Sequence, residues 1–242
     1  KAYCMANKMN GLFITQSSGL QLFYNLMLRM NKAADLDAVG FYVTDAHFYD
    51  SFCRDCPGFD ENDYSVLKEW EIVKESFDRN TFDIALLQRY EKKIGDPYLW
   101  KALIADRRII HGKRYAVTQD YRSRYSYEEI LKILQTALIR MEALFEKVRP
   151  DFVVMFQCVS IGDYLAYLFA RAYGIKVLNL RPTRIKNYFF AGETVFEPSA
   201  IIEKRYNQLL EGASAKHAFE VADDYLNQAR NINAMYEGVV PP

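Results

Sequence analysis

Hydroxyl, amide and guanidinium side chains follow two apolar segments in the second half of the chain. Gln157 and Ser160 follow the run 151–156, and Arg181 and Arg184 follow the run 175–180. Hydroxyl and amide groups hydrogen-bond sugar hydroxyls, and arginine forks bind carboxylates and phosphates. These four positions are therefore candidates for ligand binding.

A similar group stands near the amino end, directly after the apolar run 12–15. It comprises Gln16, Ser17, Ser18 and Gly19. Glycine lets a backbone approach a ligand closely, and the amides at a helix start attract anions. Ser18 also has capping spacing to Gln21, so the segment fits both a ligand site and a plain helix cap. Only one glycine of a dinucleotide-binding G-x-G-x-x-G sequence is present.

The residues 151–180 predict a strand, a helix and a second strand. Two apolar runs of strand length flank a helical pattern, whose start has capping-box spacing at Ser160 and Asp163. Gly174 suits the left-handed residue that ends a helix. Two parallel strands joined by a helix place their carboxyl ends at one edge of a sheet, where ligands of open α/β sheets bind. We therefore predict an α/β fold in which the loops after the strands converge.

The remaining elements are predicted from hydrophobic periodicity and capping signals. A strand is predicted at 38–43, ending near Thr44, and an irregular loop at 48–61. A long helix over 125–147 is capped by Ser126 and Glu129 and covers the sheet. The other predicted segments are a helix at 64–78, a strand or helix start at 82–87, a hairpin or loop at 188–196, and polar helices at 199–210 and 216–236.

Composition and charge exclude several classes of protein. The chain has 31 basic and 31 acidic residues, so its overall field gives no argument for binding nucleic acid or an anionic membrane. Half of the residues are hydrophobic, which excludes a disordered chain. No apolar run approaches the roughly 20 residues that span a bilayer, and no signal-peptide pattern is present. We expect a cytoplasmic location, with the four cysteines reduced.

Motifs for metal binding or for a named catalytic chemistry are missing. Cys53 and Cys56 form a C-x-x-C pair, which is half of a zinc site and lacks the strand-to-helix setting of a redox motif. The three histidines are widely separated, and no Walker loop, H-E-x-x-H or nucleophile elbow occurs. We therefore expect no metal, interpret the pair as two reduced loop thiols, and identify no catalytic residue.

The arginines fit two interpretations each. Arg107 lies in a charged cluster beside Tyr115, which is typical of a solvated helix end but also suits a grip on a carboxylate or phosphate. Arg181 and Arg184 are equally compatible with salt bridges that hold the following loop. Ser160 is foremost a helix cap, and capping and ligand contact can coexist.

At these residues the chain resembles a known family. The pattern runs from Leu99-Trp100 through Asp106-Arg107-Arg108, the long helix and Arg149-Pro150-Asp151 to Gly174-Ile175-Lys176 and the two arginines at 181 and 184. It is similar to capsule and surface-polysaccharide biosynthesis proteins, which look like GT-B glycosyltransferases. The resemblance covers most of residues 10–237 and implies a Rossmann-like parallel sheet flanked by helices, with a helical C-terminal appendage.

The resemblance also implies how the chain is organised and what it binds. Residues 1–197 would form a Rossmann-like acceptor-side domain, and residues 198–242 a helical extension leading to an absent second domain. The chain begins without a methionine and stops at Val-Val-Pro-Pro, so we expect an excised piece. A nucleotide sugar would be the donor, held mainly by the missing domain, and this piece would carry no cofactor. The acceptor would be a glycan or a lipid-linked glycan, compatible with peripheral association at the inner membrane face.

The expected function is therefore the acceptor-side half of a sugar-nucleotide-dependent glycosyltransferase, inactive on its own. Nine residues would bind substrate: Gln16, Ser17, Ser18, Gly19, Arg107, Gln157, Ser160, Arg181 and Arg184. Two other classes stay open. One is a noncatalytic module that binds a nucleotide or glycan or docks a partner through its aromatic surface, and the other is half of a sugar-nucleotide epimerase.

Overall fold

The computed structural model describes residues 8–17, 19–96, 99–106, 109, 124–183, 188–195, 200–211 and 215–230. Contacts divide the chain into two compact units between Asn179 and Leu180. Ser18, Arg107 and Arg184, three of the predicted ligand-binding residues, lie outside the described residues. Among the helices that are described, none is both long enough and apolar enough to cross a membrane.

Strands and helices alternate along the first unit. The strands are β1 (Met9–Ile14), β2 (Leu36–Val43), β3 (Ser65–Lys68), β4 (Phe152–Met155) and β5 (Lys176–Pro182), the last of which runs past Asn179 into the second unit. The helices are α1 (Gly19–Ala34), α2 (Ala46–Asp55), α3 (Glu69–Phe77), α4 (Ile84–Ile94), α5 (Trp100–Ala105), α6 (Tyr127–Val148) and α7 (Ile161–Ala172).

The second unit contains β6 (Phe189–Gly192) and two further helices, α8 (Ala200–Glu211) and α9 (Ala215–Ala229). No residue of α8 is buried, in agreement with its polar sequence. Within this unit the backbone N–H of Thr183 donates to the carbonyl of Tyr188 at 2.9 Å. The predicted helical C-terminal appendage is therefore present in the fold.

The strands form one sheet in the order β3-β2-β1-β4-β5-β6. The four pairs from β3 to β5 are all parallel, and β1 is paired on both sides, with Leu12 opposite Gly40 and Val153. The chain moves outward from β1 to β3 and then returns to the other side of β1 with β4. The predicted α/β, Rossmann-like parallel sheet flanked by helices is confirmed.

Helices cover both faces of the sheet. Successive side chains of each strand point to opposite faces, so both faces carry side chains that pack against them. Phe41 packs its ring on Phe59 and Tyr64, next to the α1 and α2 layer. Its neighbour Tyr42 points the other way, against Gly162 of α7. Each strand is therefore apolar on both faces, as in other parallel sheets.

Helix signals in the sequence correspond to the observed helix ends. Ser126 and Glu129 form a complete capping box at the start of α6, and Ser160 and Asp163 form one at the start of α7. Gly174, with φ of 68°, follows the end of α7. These local signals are reliable because each one satisfies backbone groups that a helix end leaves unpaired.

Two local predictions were wrong. The segment 48–61, predicted as an irregular loop, contains most of α2, which is capped by Asp45 and followed by the turn at Pro57 and Gly58. The helix predicted over 64–78 begins with β3, so that only its second part, α3, is helical. Tertiary pairing with β2 overrides the helical periodicity of this short segment.

Candidate functional site

The loops that follow β1 and β4 meet at the point where the strand order reverses. Because β1 and β4 are neighbours, their carboxyl ends lie side by side at the same edge of the sheet. The side-chain amide of Gln16 donates to the carbonyl of Gln157 at 2.7 Å and to Asp163 Oδ2 at 2.6 Å. The structure thus brings together the two predicted loops, and Gln16 fastens one to the other.

The amide groups at the start of α7 are satisfied by the protein's own carboxylates. Asp163 Oδ2 accepts from the backbone N–H of Ser160 at 2.9 Å and from that of Val159 at 3.1 Å. Asp106, which is fully buried, accepts from the N–H of Ile161 at 3.1 Å. A helix start at this position binds a diphosphate in many nucleotide-binding folds. Here the two carboxylates already occupy it.

Asp163 is the most perturbed carboxyl group of this region. Only 1% of it is exposed, and burial raises its pKa to about 6, while the hydrogen bonds from Ser160, Val159 and Gln16 act in the opposite direction. Its second oxygen, Oδ1, has no hydrogen-bond partner among the described residues. Because the group is buried, its hydrogen bonds hold the loops after β1 and β4 to the start of α7.

Four of the predicted ligand-binding residues surround this junction. Ser160 is 2% exposed, and its hydroxyl accepts from the N–H of Asp163, so it serves as a cap. Gly19 lies close to protein, since an added Cβ would come within 3.1 Å of the Phe156 ring. Ser17 and Gln157 are exposed. Ser17, with φ of 40°, donates its backbone N–H to Thr44 Oγ1 at 3.1 Å.

Arg181 belongs to the second unit, where it holds a loop. Its Nη2 donates to the carbonyl of Thr194 at 2.6 Å, in a half-buried setting. This bond is to a backbone carbonyl, so ligand binding and a salt bridge both stay predictions for Arg181.

A cleft of about 530 Å³ opens beside this junction, at the carboxyl ends of β2 and β3. A volume of this size falls in the usual range of sites for small molecules, about 300–1,000 Å³. Thr44, which accepts the hydrogen bond from Ser17, is one of its lining residues, so the loop after β1 touches its border. The cleft lies entirely within the first unit.

Two carboxylates line the cleft, and both stand at helix starts. Asp45 is the N-cap of α2, where its Oδ1 accepts from the N–H of Phe48 at 3.0 Å. Glu69 is the first residue of α3 and only 8% exposed, and its Oε2 accepts from the hydroxyl of Tyr42 at 2.6 Å. Both carboxylates therefore stand at the amino ends of helices, where the helix dipole favours negative charge.

Aromatic rings and two cations form the rest of the cleft. Trp70 and Phe77 come from α3, and Tyr125 stands just before α6. The rings of Phe77 and Tyr125 are 5.7 Å apart, and the Arg124 guanidinium lies 5.0 Å from the Tyr125 ring centroid. Lys74 and Arg124, the two cations, are exposed, whereas Trp70 and Tyr125 are half-buried. The arrangement offers flat apolar surface beside both hydrogen-bond acceptors and positive charge.

Sequence reasoning missed this cleft. Thr44 is predicted only as the end of a strand, and Trp70 and Phe77 fall within the helix predicted over 64–78. The signal that was available is the short run Ser65–Lys68, because a strand there would have placed Glu69 at the same sheet edge as Asp45.

The described residues contain no group of three or more histidine, cysteine, aspartate or glutamate side chains that could hold a metal. Cys53 lies within α2 and Cys56 ends it, and neither is in a disulfide. Burial raises the pKa of the Cys53 thiol above its ordinary value, which disfavours the reactive thiolate.

Comparison with protein-family models gives no match for this chain, and comparison with curated proteins gives no significant match. What the chain does is accordingly inferred from the chemistry of its cleft.

Proposed function

We propose that the chain is the acceptor-side domain of a sugar-nucleotide-dependent glycosyltransferase for a surface polysaccharide, with the acceptor saccharide bound in the cleft. The observation that carries the proposal is the position of Asp45 and Glu69 beside the Trp70 and Tyr125 rings, at the carboxyl edge of a parallel sheet. Ligands of open α/β sheets bind at this edge. The resemblance to surface-polysaccharide biosynthesis proteins supports the same assignment.

The acceptor hydroxyl needs a base, because an alcohol is a weak nucleophile until its proton is removed. We assign this role to Asp45, which is half-buried and lines the cleft. Glu69 is more deeply buried and is held by Tyr42, so it suits the orientation of a second hydroxyl. Trp70 and Tyr125 would pack against the apolar face of the sugar ring.

The nucleotide sugar is proposed to bind mainly outside the described cleft. The starts of α2 and α7 are occupied by Asp45 and by the pair Asp106 and Asp163. These carboxylates would repel a departing diphosphate, and the two cations of the cleft are assigned below to the acceptor, so the charge that stabilises the diphosphate is proposed to come from another part of the enzyme. A second, donor-binding domain supplies it in this proposal, and a lipid-linked acceptor would present its sugar at the cytoplasmic face of the membrane.

A noncatalytic saccharide-binding module is the second candidate. It is favoured by the same observation that the helix starts near the cleft and the junction carry carboxylates, because such a chain binds hydroxyl-rich ligands without needing a phosphate site. Transfer activity separates this candidate from the first.

The test is a transfer assay on the protein expressed from its complete reading frame. A panel of nucleotide sugars is incubated with glycan acceptors, and release of the nucleotide and formation of the extended glycan are both measured. Asp45→Asn is expected to lower kcat by about 100-fold or more, since loss of a general base costs about 10²–10⁴. Asp50→Asn, an exposed change on the same helix, is the matched control and should leave transfer unchanged.

The choice of asparagine keeps the helix intact, because asparagine caps a helix about as well as aspartate. Circular dichroism and thermal unfolding of Asp45→Asn should therefore match the wild type. Transfer that is undiminished in a well-folded Asp45→Asn protein would reject the assignment of the base. Transfer from none of the nucleotide sugars, combined with saccharide binding, would favour the noncatalytic module.

A further inference from the structure

The charges of the cleft are arranged by depth. Glu69 and Thr44 are buried and Asp45 is half-buried, whereas Lys74 and Arg124 are exposed. We propose that the saccharide bound here carries an acidic group, with its hydroxyls toward the carboxylates and its anionic group toward Lys74 and Arg124. This inference rests on the proposed function, whose acceptor it narrows to acidic saccharides such as uronic acid glycans.

The inner part of the cleft selects hydroxyl donors. Asp45 closes the start of α2 and Glu69 stands at the first position of α3, so these helix ends present carboxylate oxygens to a ligand. Ionised carboxylates only accept hydrogen bonds. A phosphate placed there would face two like charges, whereas a sugar O–H can donate to an ionised carboxylate.

The outer part selects an anion. Neither Lys74 nor Arg124 has a carboxylate within 4.0 Å among the described residues. Cations nearby are paired instead, since Lys68 contacts Glu61 at 2.7 Å, and Arg79 and Arg140 both contact Glu75. Lys74 and Arg124 both line the cleft and are exposed, so a ligand in it would meet their positive charge at the solvent side.

The aromatic rings limit the ligand to one with a flat apolar face. The Arg124 guanidinium lies over the Tyr125 ring. This cation–π contact holds the guanidinium beside the ring and does not neutralise its charge. A pyranose ring against Trp70 or Tyr125 would therefore place a carboxylate substituent near Arg124. A volume of about 530 Å³ suits a short saccharide of this kind.

The experiment is calorimetric titration of the chain with uronic-acid-containing disaccharides. Each is paired with its neutral counterpart, in which a hydroxymethyl group replaces the carboxylate, and uridine 5′-monophosphate is titrated as the nucleotide probe. The acidic disaccharides are expected to bind about tenfold tighter than the neutral ones, because the carboxylate adds a charge-assisted hydrogen bond to an exposed cation. Lys74→Gln and Arg124→Gln should each weaken acidic binding about 3–10-fold and leave neutral binding unchanged.

Lys92→Gln is the matched control, because Lys92 is an exposed lysine on α4 that does not line the cleft. It should bind every ligand as the wild type does. Equal affinity for acidic and neutral disaccharides, no binding of any acidic disaccharide, or tighter binding of the nucleotide than of every disaccharide would each overturn the inference.

Failure of this inference can be distinguished from failure of the proposed function. Acidic binding that depends on Lys74 and Arg124, without sugar transfer by the full-length protein, supports the ligand class and rejects the transferase. Transfer that depends on Asp45 but is indifferent to Lys74→Gln and Arg124→Gln supports the transferase and rejects the acidic acceptor.

Discussion

At the scale of single residues, Asp163 is subject to two opposing effects: burial disfavours its charged form, and its hydrogen bonds favour that form. One oxygen accepts three hydrogen bonds, from Gln16, Val159 and Ser160, which tie the loops after β1 and β4 to the start of α7. The other oxygen is buried without a hydrogen-bond partner among the described residues. A buried carboxylate with half of its acceptor capacity unused is costly in the charged form.

The burial of Asp163 predicts that the free energy of unfolding depends on pH. Burial raises the pKa of Asp163 to about 6 in the folded state, above the unfolded value of about 3.9. Between these values the folded state binds the proton and the unfolded state does not, so the stabilising contribution present at low pH is lost as the pH rises through about 6. Asp163→Asn cannot lose a proton. Its unfolding free energy relative to wild type should therefore rise by on the order of 1–2 kcal/mol from pH 4.5 to 7.5.

Urea unfolding at both pH values measures this difference. Asp224→Asn, which changes an exposed carboxylate of α9, provides the control and should show no such trend. A relative stability of Asp163→Asn that stays constant or falls with rising pH would show that Asp163 is not held protonated by its burial.

At the scale of elements, α7 packs on β2 at one glycine, Gly162. An added Cβ at Gly162 would overlap the Cζ and hydroxyl oxygen of Tyr42. Tyr42 has little room to give way, since it is fully buried and its hydroxyl is bonded to Glu69. The same contact therefore sets the height of α7 above the sheet and supports the carboxylate in the cleft.

Gly162→Ala is expected to destabilise the protein by about 3 kcal/mol, because overpacking of a filled core costs about 1–3 kcal/mol and occasionally more. The usual gain of about 0.5–1 kcal/mol from replacing a helical glycine by alanine is too small to offset it. The free energy of unfolding in urea measures the change. Gly58→Ala is the control, since the nearest atom to its added Cβ would be the Tyr24 hydroxyl at 3.9 Å. Similar stabilities for the two variants would contradict the close packing of α7 on β2.

The elements were predictable from the sequence where local chemistry decides them. The capping residues Ser126 and Ser160 and the glycine at 174 mark helix ends through bonds made within a few residues. The strand β3 was not predictable in this way, because its four residues run into α3 without a break and are strands only through pairing with β2. The α2 helix was not predicted, because the Pro57-Gly58 turn that follows it indicated a loop.

At the scale of the whole first unit, strand order decides which side chains share a site. The α/β class and the meeting of the loops at Gln16 and Gln157 follow from the alternation of strands and helices. The cleft does not, because Asp45, Glu69 and Arg124 are far apart in sequence and meet only once β3 is placed beside β2. Hydrophobic patterns carry no information on strand order, so this part of the site needed coordinates.

The central claim is that a saccharide occupies the cleft, and photoaffinity mapping tests it most directly. An acidic disaccharide carrying a diazirine is bound to the chain, irradiated, and its attachment sites are identified by mass spectrometry. Labels are expected on α3, at Trp70 to Phe77, and at Arg124 and Tyr125, and an excess of unlabelled disaccharide should remove them. Competable labels confined to α8 and α9, with none on the residues of the cleft, would contradict it.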